Sequence, residues 1–350
     1  LQIIHCDHCQ NLVFFENVKC LGCGRVLGFI PEIQQMVSLD LNDDGLYTTP
    51  NPASKNRRYR LCANYQNQNI CNWIVPSDDE NPFCASCRLT ILIPNLSVPG
   101  NKEAWYRIEI AKRRLLYSIL ILGLPLQGPA GSGKFLSFKL MADTTDPTTP
   151  VLTGHDNGLI TLNIAEANDS ERERRRTLMH EPYRTLIGHF RHEIGHYYWD
   201  ILILNTDFLD QFRILFGDER KDYNEALKQH YNNGVPMDWQ ERFISSYASS
   251  HPWEDWAESW AHYLHISDSW ETAMACGLSL KPRRSNEPSL ITSIIDQPFD
   301  QRIDSWCAVA YLLNNVNRGL GLPDAYPFVM SVPVVEKLRF IDKVVKSSNW

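Results

Sequence analysis

Eight of the chain's ten cysteines precede residue 90, spaced as Cys6-x-x-Cys9, Cys20-x-x-Cys23, Cys62, Cys71 and Cys84-x-x-Cys87. Two cysteines separated by two residues point both thiolates at one ion from a tight knuckle, a spacing that suits tetrahedral zinc and does not suit a disulfide framework. The first quarter of the chain must therefore fold around metal. Cys6, Cys9, Cys20 and Cys23 enclose the apolar "NLVFFENV", which fits a short strand, so residues 1–38 read as a zinc ribbon with one structural zinc. His5 and His8 flank the first knuckle, but the complete four-cysteine set leaves them as bystanders. Cys62, Cys71, Cys84 and Cys87 form a second set, ending in "CASC", and define a second zinc-binding module over 55–98. The intervening stretch, "LNDDGLYTTPNPASKNRRYR", is rich in turn formers and reads as a linker. Its Lys55, Arg57, Arg58 and Arg60, with Tyr59, make a small basic and aromatic patch, read as a solvated face rather than a phosphate site.

A length of 350 residues allows two or three domains with a sizeable core. Charged residues at 21% and a formal net charge of -7 exclude a wholesale nucleic-acid binder and a polybasic membrane protein. The longest apolar run, "LLYSILILGLPL" at 115–126, is broken by Gly123 and Pro125. It falls short of the roughly 20 residues that cross a bilayer. No membrane partner and no nucleic-acid partner are expected, no secretory signal is visible, and the expected location is cytoplasmic.

After Pro99, "NKEAWYRIEIAKRRLLYSILILG" has apolar residues at helical spacing and stops at Gly123. "GPAGSGK" at 128–134 imitates a phosphate-binding loop, but Phe135 stands where a Mg-binding Ser or Thr is needed, and "FLSFKLMAD" continues as a strand instead of opening a helix. It reads as a glycine-rich turn. "PVLTGHDNGLITLNIAEA" suggests two strands about an Asn157-Gly158 turn, with Ile160, Leu162 and Ile164 on one face, the second strand half-exposed.

The chemistry is concentrated in "GHFRHEIGHYYWD", 188–200. Pro182 favours a helix start, and Tyr183, Ile187, Phe190, Ile194, Tyr197 and Ile201 form a continuous apolar stripe. At about 100° per residue His192 and His196 fall together, nearly opposite that stripe, so two imidazoles can share an ion. Glu193, one step round, can reach a water on that ion without ligating it. Asp200 reads as a surface acid.

A catalytic zinc needs a third protein ligand and an open position. Metzincins take a histidine ten positions after the first, but here that position is Leu202, and Trp199 replaces their glycine. The second rich segment is "YASSHPWEDWAESWAHYLH", 247–265, where Pro252 favours a helix start and Trp253, Ala257, Trp260 and Leu264 give a buried stripe. Glu254 and Glu258 share a face, so one could ligate zinc while the other fixes a ligand imidazole; Asp255 points elsewhere. His262 and His265 are further contenders for ligation, and His251 for capping or substrate contact.

"HEIGHYYWD" with "YASSHPWEDWAESWAHYL" resembles the glutamate zincins, or gluzincins. Nearly the whole chain, including "TGHDNGLITLNIAEA" and "LFGDERKDYNEAL", is similar to a family of zinc-dependent metallopeptidases with an N-terminal zinc ribbon. Within the wider clan the core resembles the catalytic domain of anthrax lethal factor, whose Glu-x-x-Ala-Glu helix supplies the third ligand and whose tyrosine seven residues earlier stabilises the oxyanion. The resemblance implies Glu254 as ligand, Glu258 as its supporting carboxylate and Tyr247 as oxyanion donor. A departure is the 58 positions between His196 and Glu254, which makes "FGDERKDYNEALKQHYNNG" an inserted helical segment.

The expected fold is α+β: a zincin-like metallopeptidase core over 100–350, with a small mixed sheet and active-site helices, preceded by the two zinc-ribbon modules. The expected cofactors are three zinc ions, one catalytic on His192, His196 and Glu254 and two structural. The expected activity is peptide hydrolysis with Glu193 as general base, on an extended protein or peptide laid along the half-exposed strand, with the ribbons available to a recruiting partner. The alternative is an inactive zincin scaffold carrying a partner- or nucleic-acid-binding ribbon module.

Overall fold

The computed structural model describes residues 2–143, 151–172, 185–281, 290–291 and 297–347. They divide into two compact units, one of Ile3–Gln127 with Phe135–Glu171, the other of Gly128–Lys134 with the chain from Arg172 onward. Among the described residues no helix is long and apolar enough to cross a membrane. Pro182, Tyr183 and the arginines at 174–176 lie outside the described residues.

In the first unit a short hairpin, β1 (Ile4–His5) and β2 (Leu12–Val13), carries the first knuckle. It is followed by an antiparallel sheet in sequential order: β3 (Val26–Ile30), β4 (Gln35–Leu41), β5 (Tyr47–Thr48), β6 (Tyr59–Leu61) and β7 (Ile74–Pro76). Ile30, Val37, Leu39, Tyr59 and Ile74 form its core. The stretch expected to be a linker is thus part of this sheet. Its turn formers mark hairpin turns, β6 pairs with both neighbours, and Tyr59 is buried in the core. The basic patch is neutralised locally: Arg57 pairs with Asp78, Arg58 with Asp44, and Arg60 donates to the carbonyls of Asp79 and Asn81.

Helix α1 (Asn101–Ile121) ends before Gly123, whose φ of 65° only glycine adopts readily. It buries Glu109 and Lys112 as an ion pair at 2.8 Å, with Thr90 and Trp105 donating to the same carboxylate. The second sheet is mixed, in the order β10 (Gly154–Asp156), β11 (Leu159–Asn163), β9 (Ser137–Met141), β8 (Thr90–Leu92). Asn157 and Gly158 turn the β10–β11 hairpin with φ of 50° and 90°. Strand β11 is paired on both sides, parallel to β9 and antiparallel to β10. It therefore has no free edge along which to lay a substrate, contrary to the sequence expectation, because its alternation reports a one-sided core and not an unpaired edge.

In the second unit the glycine-rich turn is closed by a hydrogen bond from Gly128 N to Lys134 O at 2.8 Å. No helix follows it: the chain goes on to β9, so the phosphate-loop likeness ends there. The unit's longer helices among the described residues are α2 (Leu186–Leu202), α3 (Leu209–Phe216), α4 (Tyr223–Asn233), α5 (Pro252–Ala275), α6 (Phe299–Gly319) and α7 (Val332–Lys346). Between α2 and α5 lies an aromatic core, with Tyr198 stacked on Trp260 at 4.7 Å and Trp199 and Trp256 each edge-on to Phe212. Asp255 points away from α2 to Lys337 of α7, 2.6 Å away.

Candidate metal centres

The thiols of Cys6, Cys9, Cys20 and Cys23 lie within 4.8 Å of one another, as do those of Cys62, Cys71, Cys84 and Cys87, and none forms a disulfide. Zn–S bonds of about 2.3 Å set tetrahedral S···S edges of about 3.8 Å. The observed pairs fit: Cys6–Cys23 at 3.8 Å, Cys9–Cys20 at 3.5 Å and Cys71–Cys84 at 3.7 Å. Asp7, inside the first knuckle, accepts from Ser38 N at 2.8 Å and Thr49 Oγ1 at 3.2 Å, which fastens the knuckle to the sheet. The second set is entirely buried and draws backbone N–H bonds to sulfur, Cys84 N to Cys62 Sγ and Trp73 N to Cys71 Sγ, each 3.4 Å. Burial would favour neutral Arg113 on α1, but negative charge on Cys71, then on Glu109 and Cys87, outweighs it and raises its pKa. Its guanidinium is positioned to offset the charge of four thiolates.

Helix α2 starts at Leu186, where Thr185 accepts from Gly188 N at 3.0 Å, an N-cap. Phe190, Ile194, Tyr197 and Ile201 are buried as the stripe requires, and the opposite side presents His192, Glu193 and His196. Helix α5 is capped by His251, whose Nδ1 accepts from Trp253 N at 3.1 Å while Nε2 donates to Lys221 O at 3.1 Å. With Pro252 at its first position and Glu254 and Asp255 in its first turn, this helix start is well specified. Gly195 lets the two helices meet closely, and Trp256 Nε1 donates to Gly195 O at 2.8 Å.

This approach brings Glu254 Oε2 to 3.0 Å from His192 Nε2 and 3.6 Å from His196 Nε2. Ligand bonds of about 2.0–2.1 Å to nitrogen or oxygen would set tetrahedral edges of about 3.3 Å. His192 Nδ1 lies 2.7 Å from Glu258 Oε1, and Glu258 Oε2 accepts from Ser245 Oγ at 2.6 Å. Burial alone would raise the Glu258 carboxyl, yet these hydrogen bonds hold it below its ordinary range. An ionised Glu258 accepts a hydrogen bond from Nδ1–H, so a neutral His192 turns its Nε2 lone pair towards another lone pair on the buried Glu254 Oε2. Two acceptors facing each other in a buried pocket need a cation. A proton on His192 is the simplest one: burial opposes it, but Glu254 and Glu258 outweigh burial and raise the imidazole well above its usual pKa. A divalent ion would displace that proton.

Glu193 is partly exposed beside this cluster; burial pushes its carboxyl up, the two imidazoles oppose the shift, and Glu254 and Glu258 reinforce it. The Tyr247 ring lies 5.9 Å from that of His192, and burial, then Glu254, raise its phenol far above the ordinary value. Trp253 covers the His196 ring at 3.9 Å, so it belongs to the site and not to the core stripe expected of it.

Among the described residues His262 and His265 do not join the metal cluster: His262 Nδ1 meets Tyr326 Oη at 2.7 Å, and His265 Nδ1 meets Arg191. Asp200 pairs with Lys134 of the glycine-rich turn at 2.8 Å with little exposure, so it is not a free surface acid. Two residues escaped the sequence reading. Ser245 precedes α5, and Tyr223 opens α4, its hydroxyl donating to Glu254 Oε1 at 2.6 Å and meeting that of Tyr247. Only the Asp222 N-cap, with Asp222 Oδ1 accepting from Glu225 N at 2.8 Å, signals the start of Tyr223's helix, and nothing local signals its partner.

An α+β chain with two four-thiolate sets and a two-helix site of paired imidazoles and a glutamate is a zinc-binding protein of metallopeptidase type. Residues 101–344 match the family model described as "Putative zinc-binding metallo-peptidase", and residues 3–98 match a zinc-ribbon domain. The chain belongs to this metallopeptidase family, with an N-terminal zinc ribbon. It is 44% identical over 343 residues to uncharacterized proteins of Mycobacterium tuberculosis and Mycobacterium bovis, covering 97% of this chain and 94% of each relative. No solved structure matches the chain, so the likeness to lethal factor rests on the motif residues alone.

Proposed function

We propose that the chain is a zinc metallopeptidase of the gluzincin, HExxH type, with a catalytic zinc on His192, His196 and Glu254 in addition to two structural zincs. The observation that carries this reading is the convergence of these three donors within 4.8 Å, with Glu193 next to His192 in sequence but outside the set. Zinc held there would supply Lewis-acid chemistry, lowering the pKa of a water towards about 7 and polarising a carbonyl. Glu193, its proton affinity raised by burial, takes the proton from the attacking water and returns it to the leaving amine. Tyr247, kept protonated, donates to the developing oxyanion. Glu258 holds His192 in the tautomer that offers Nε2.

In this reading 1–38 and 55–98 serve as ribbons and 100–350 as the catalytic domain, acting on an extended protein or peptide. Exposed Leu12, Phe14 and Leu21 on the first ribbon support a recruiting surface there. Eight cysteines arranged as thiolate sets favour a reducing, cytoplasmic setting. The test is Glu193→Gln assayed on a random-sequence peptide library read by mass spectrometry. Wild type is expected to cleave, and the variant to keep three zinc ions per chain while losing at least about 10²-fold in rate. Cleavage retained by the variant would refute the role of Glu193; a wild type that cleaves nothing would favour the inactive scaffold.

A further inference from the structure

We propose that Tyr223 is a positioning residue for the catalytic metal: by binding one oxygen of Glu254 it commits the other to the ion. The inference rests on the metal-site reading above and extends it to the inserted segment. Glu254 is almost completely buried, and its two oxygens face different partners. Oε1 accepts from the Tyr223 hydroxyl at 2.6 Å, while Oε2 stands 3.0 Å from His192 Nε2. A carboxylate without the first bond could rotate and present either oxygen, or both.

Packing of the inserted helix does not account for the contact. Helix α4 buries none of its residues, yet its first residue reaches a nearly inaccessible carboxylate. The turn before it is tied to the start of α5: Lys221 O accepts from His251 Nε2 at 3.1 Å, and the Tyr223 ring lies edge-on to His251 at 5.3 Å and to Trp253 at 5.9 Å. The phenol is thus held where it meets Glu254. His192 is oriented by Glu258 and Glu254 by Tyr223, each a dedicated hydrogen-bond partner of the kind whose loss usually costs 10- to 100-fold in metal affinity.

The experiment uses full-length Tyr223→Phe with both thiolate sets loaded. Zinc affinity of the third site is measured by competition with a chromophoric chelator, and the site is then loaded with cobalt, whose visible absorption reports coordination number. Expected are zinc binding weaker by about 10- to 100-fold and an altered cobalt spectrum. Unchanged affinity overturns the proposal, and so does weaker affinity with an unaltered spectrum, which would mean general loosening. A wild type that binds only two zinc ions defeats the underlying site reading, and a Glu254→Gln chain that still binds three defeats the assignment of that ligand; both are distinct from a failure at Tyr223.

Discussion

A first side-chain carbon placed on Gly195 would stand 2.9 Å from the Cα of Ala257, closer than such atoms approach. Gly195 immediately precedes His196, and Ala257 lies between Glu254 and Glu258, so this crossing sets how near the candidate ligands of α2 and α5 come. The obstructing atom is backbone and cannot rotate away. Gly195→Ala is therefore expected to push the helices apart, with a stability loss of about 1–3 kcal/mol. It should also weaken zinc binding at the third site, although it raises intrinsic helix propensity. Urea unfolding with a parallel zinc titration checks both; a more stable variant with unchanged affinity would contradict the argument.

The Glu258 to His192 bond predicts a graded series. Glu258→Ala removes the acceptor of the Nδ1 proton, and third-site zinc affinity should fall about 10- to 100-fold. Glu258→Gln keeps an acceptor oxygen without the charge and should lie between that variant and wild type. Competition titrations on the three proteins would show the order, and equal affinities would mean that Glu258 does not set the tautomer.

What could be read in advance was whatever repeats locally. The cysteine sets and the apolar stripes of α2 and α5 are short-range patterns, and the two histidines and two glutamates follow from helix geometry once the stripes are placed. Strand pairing is not local: β11 alternates in the same way whether its flank is free or covered by β10, so its interior position was not legible. The stretch from 41 to 60 looked like a linker because its strands are only two and three residues long between turns. Tyr223 and Asp200 were missed or misjudged for a related reason, since their partners stand 31 and 66 positions away in sequence.

Donor chemistry and exposure together predict an order of metal loss. The proposed third site has no thiolate to hold the ion, so it should empty first under a chelator. In the first ribbon Cys9 is exposed and Cys23 half-buried, whereas Cys62, Cys71, Cys84 and Cys87 are all buried, so the first ribbon should empty before the second. Native mass spectrometry with thiol alkylation follows this directly, against a background of exposed Cys276, which should react without chelator. Simultaneous loss of all three ions would show one cooperative unfolding event instead.

His262 predicts an acid sensitivity that persists after metal is removed. Burial, partly opposed by Glu258 and reinforced by charge on His192, lowers its pKa to about 4, and its Nδ1 shares a hydrogen bond with Tyr326 at 2.7 Å. An unfolded chain would protonate this imidazole near pH 6.5 while the folded one does not until about pH 4, so between those values the unfolded state binds more protons. Stability from this group is therefore fully present above about pH 6.5 and declines as pH falls towards 4, by a total on the order of 3 kcal/mol. His262→Gln removes the titration while retaining a polar partner for Tyr326. Denaturant unfolding of chelator-treated wild type and variant at pH 7.5 and pH 4.5 keeps metal release out of the comparison. The variant should lose less stability between the two conditions; parallel losses would mean that His262 is protonated in the folded chain as readily as in the unfolded one.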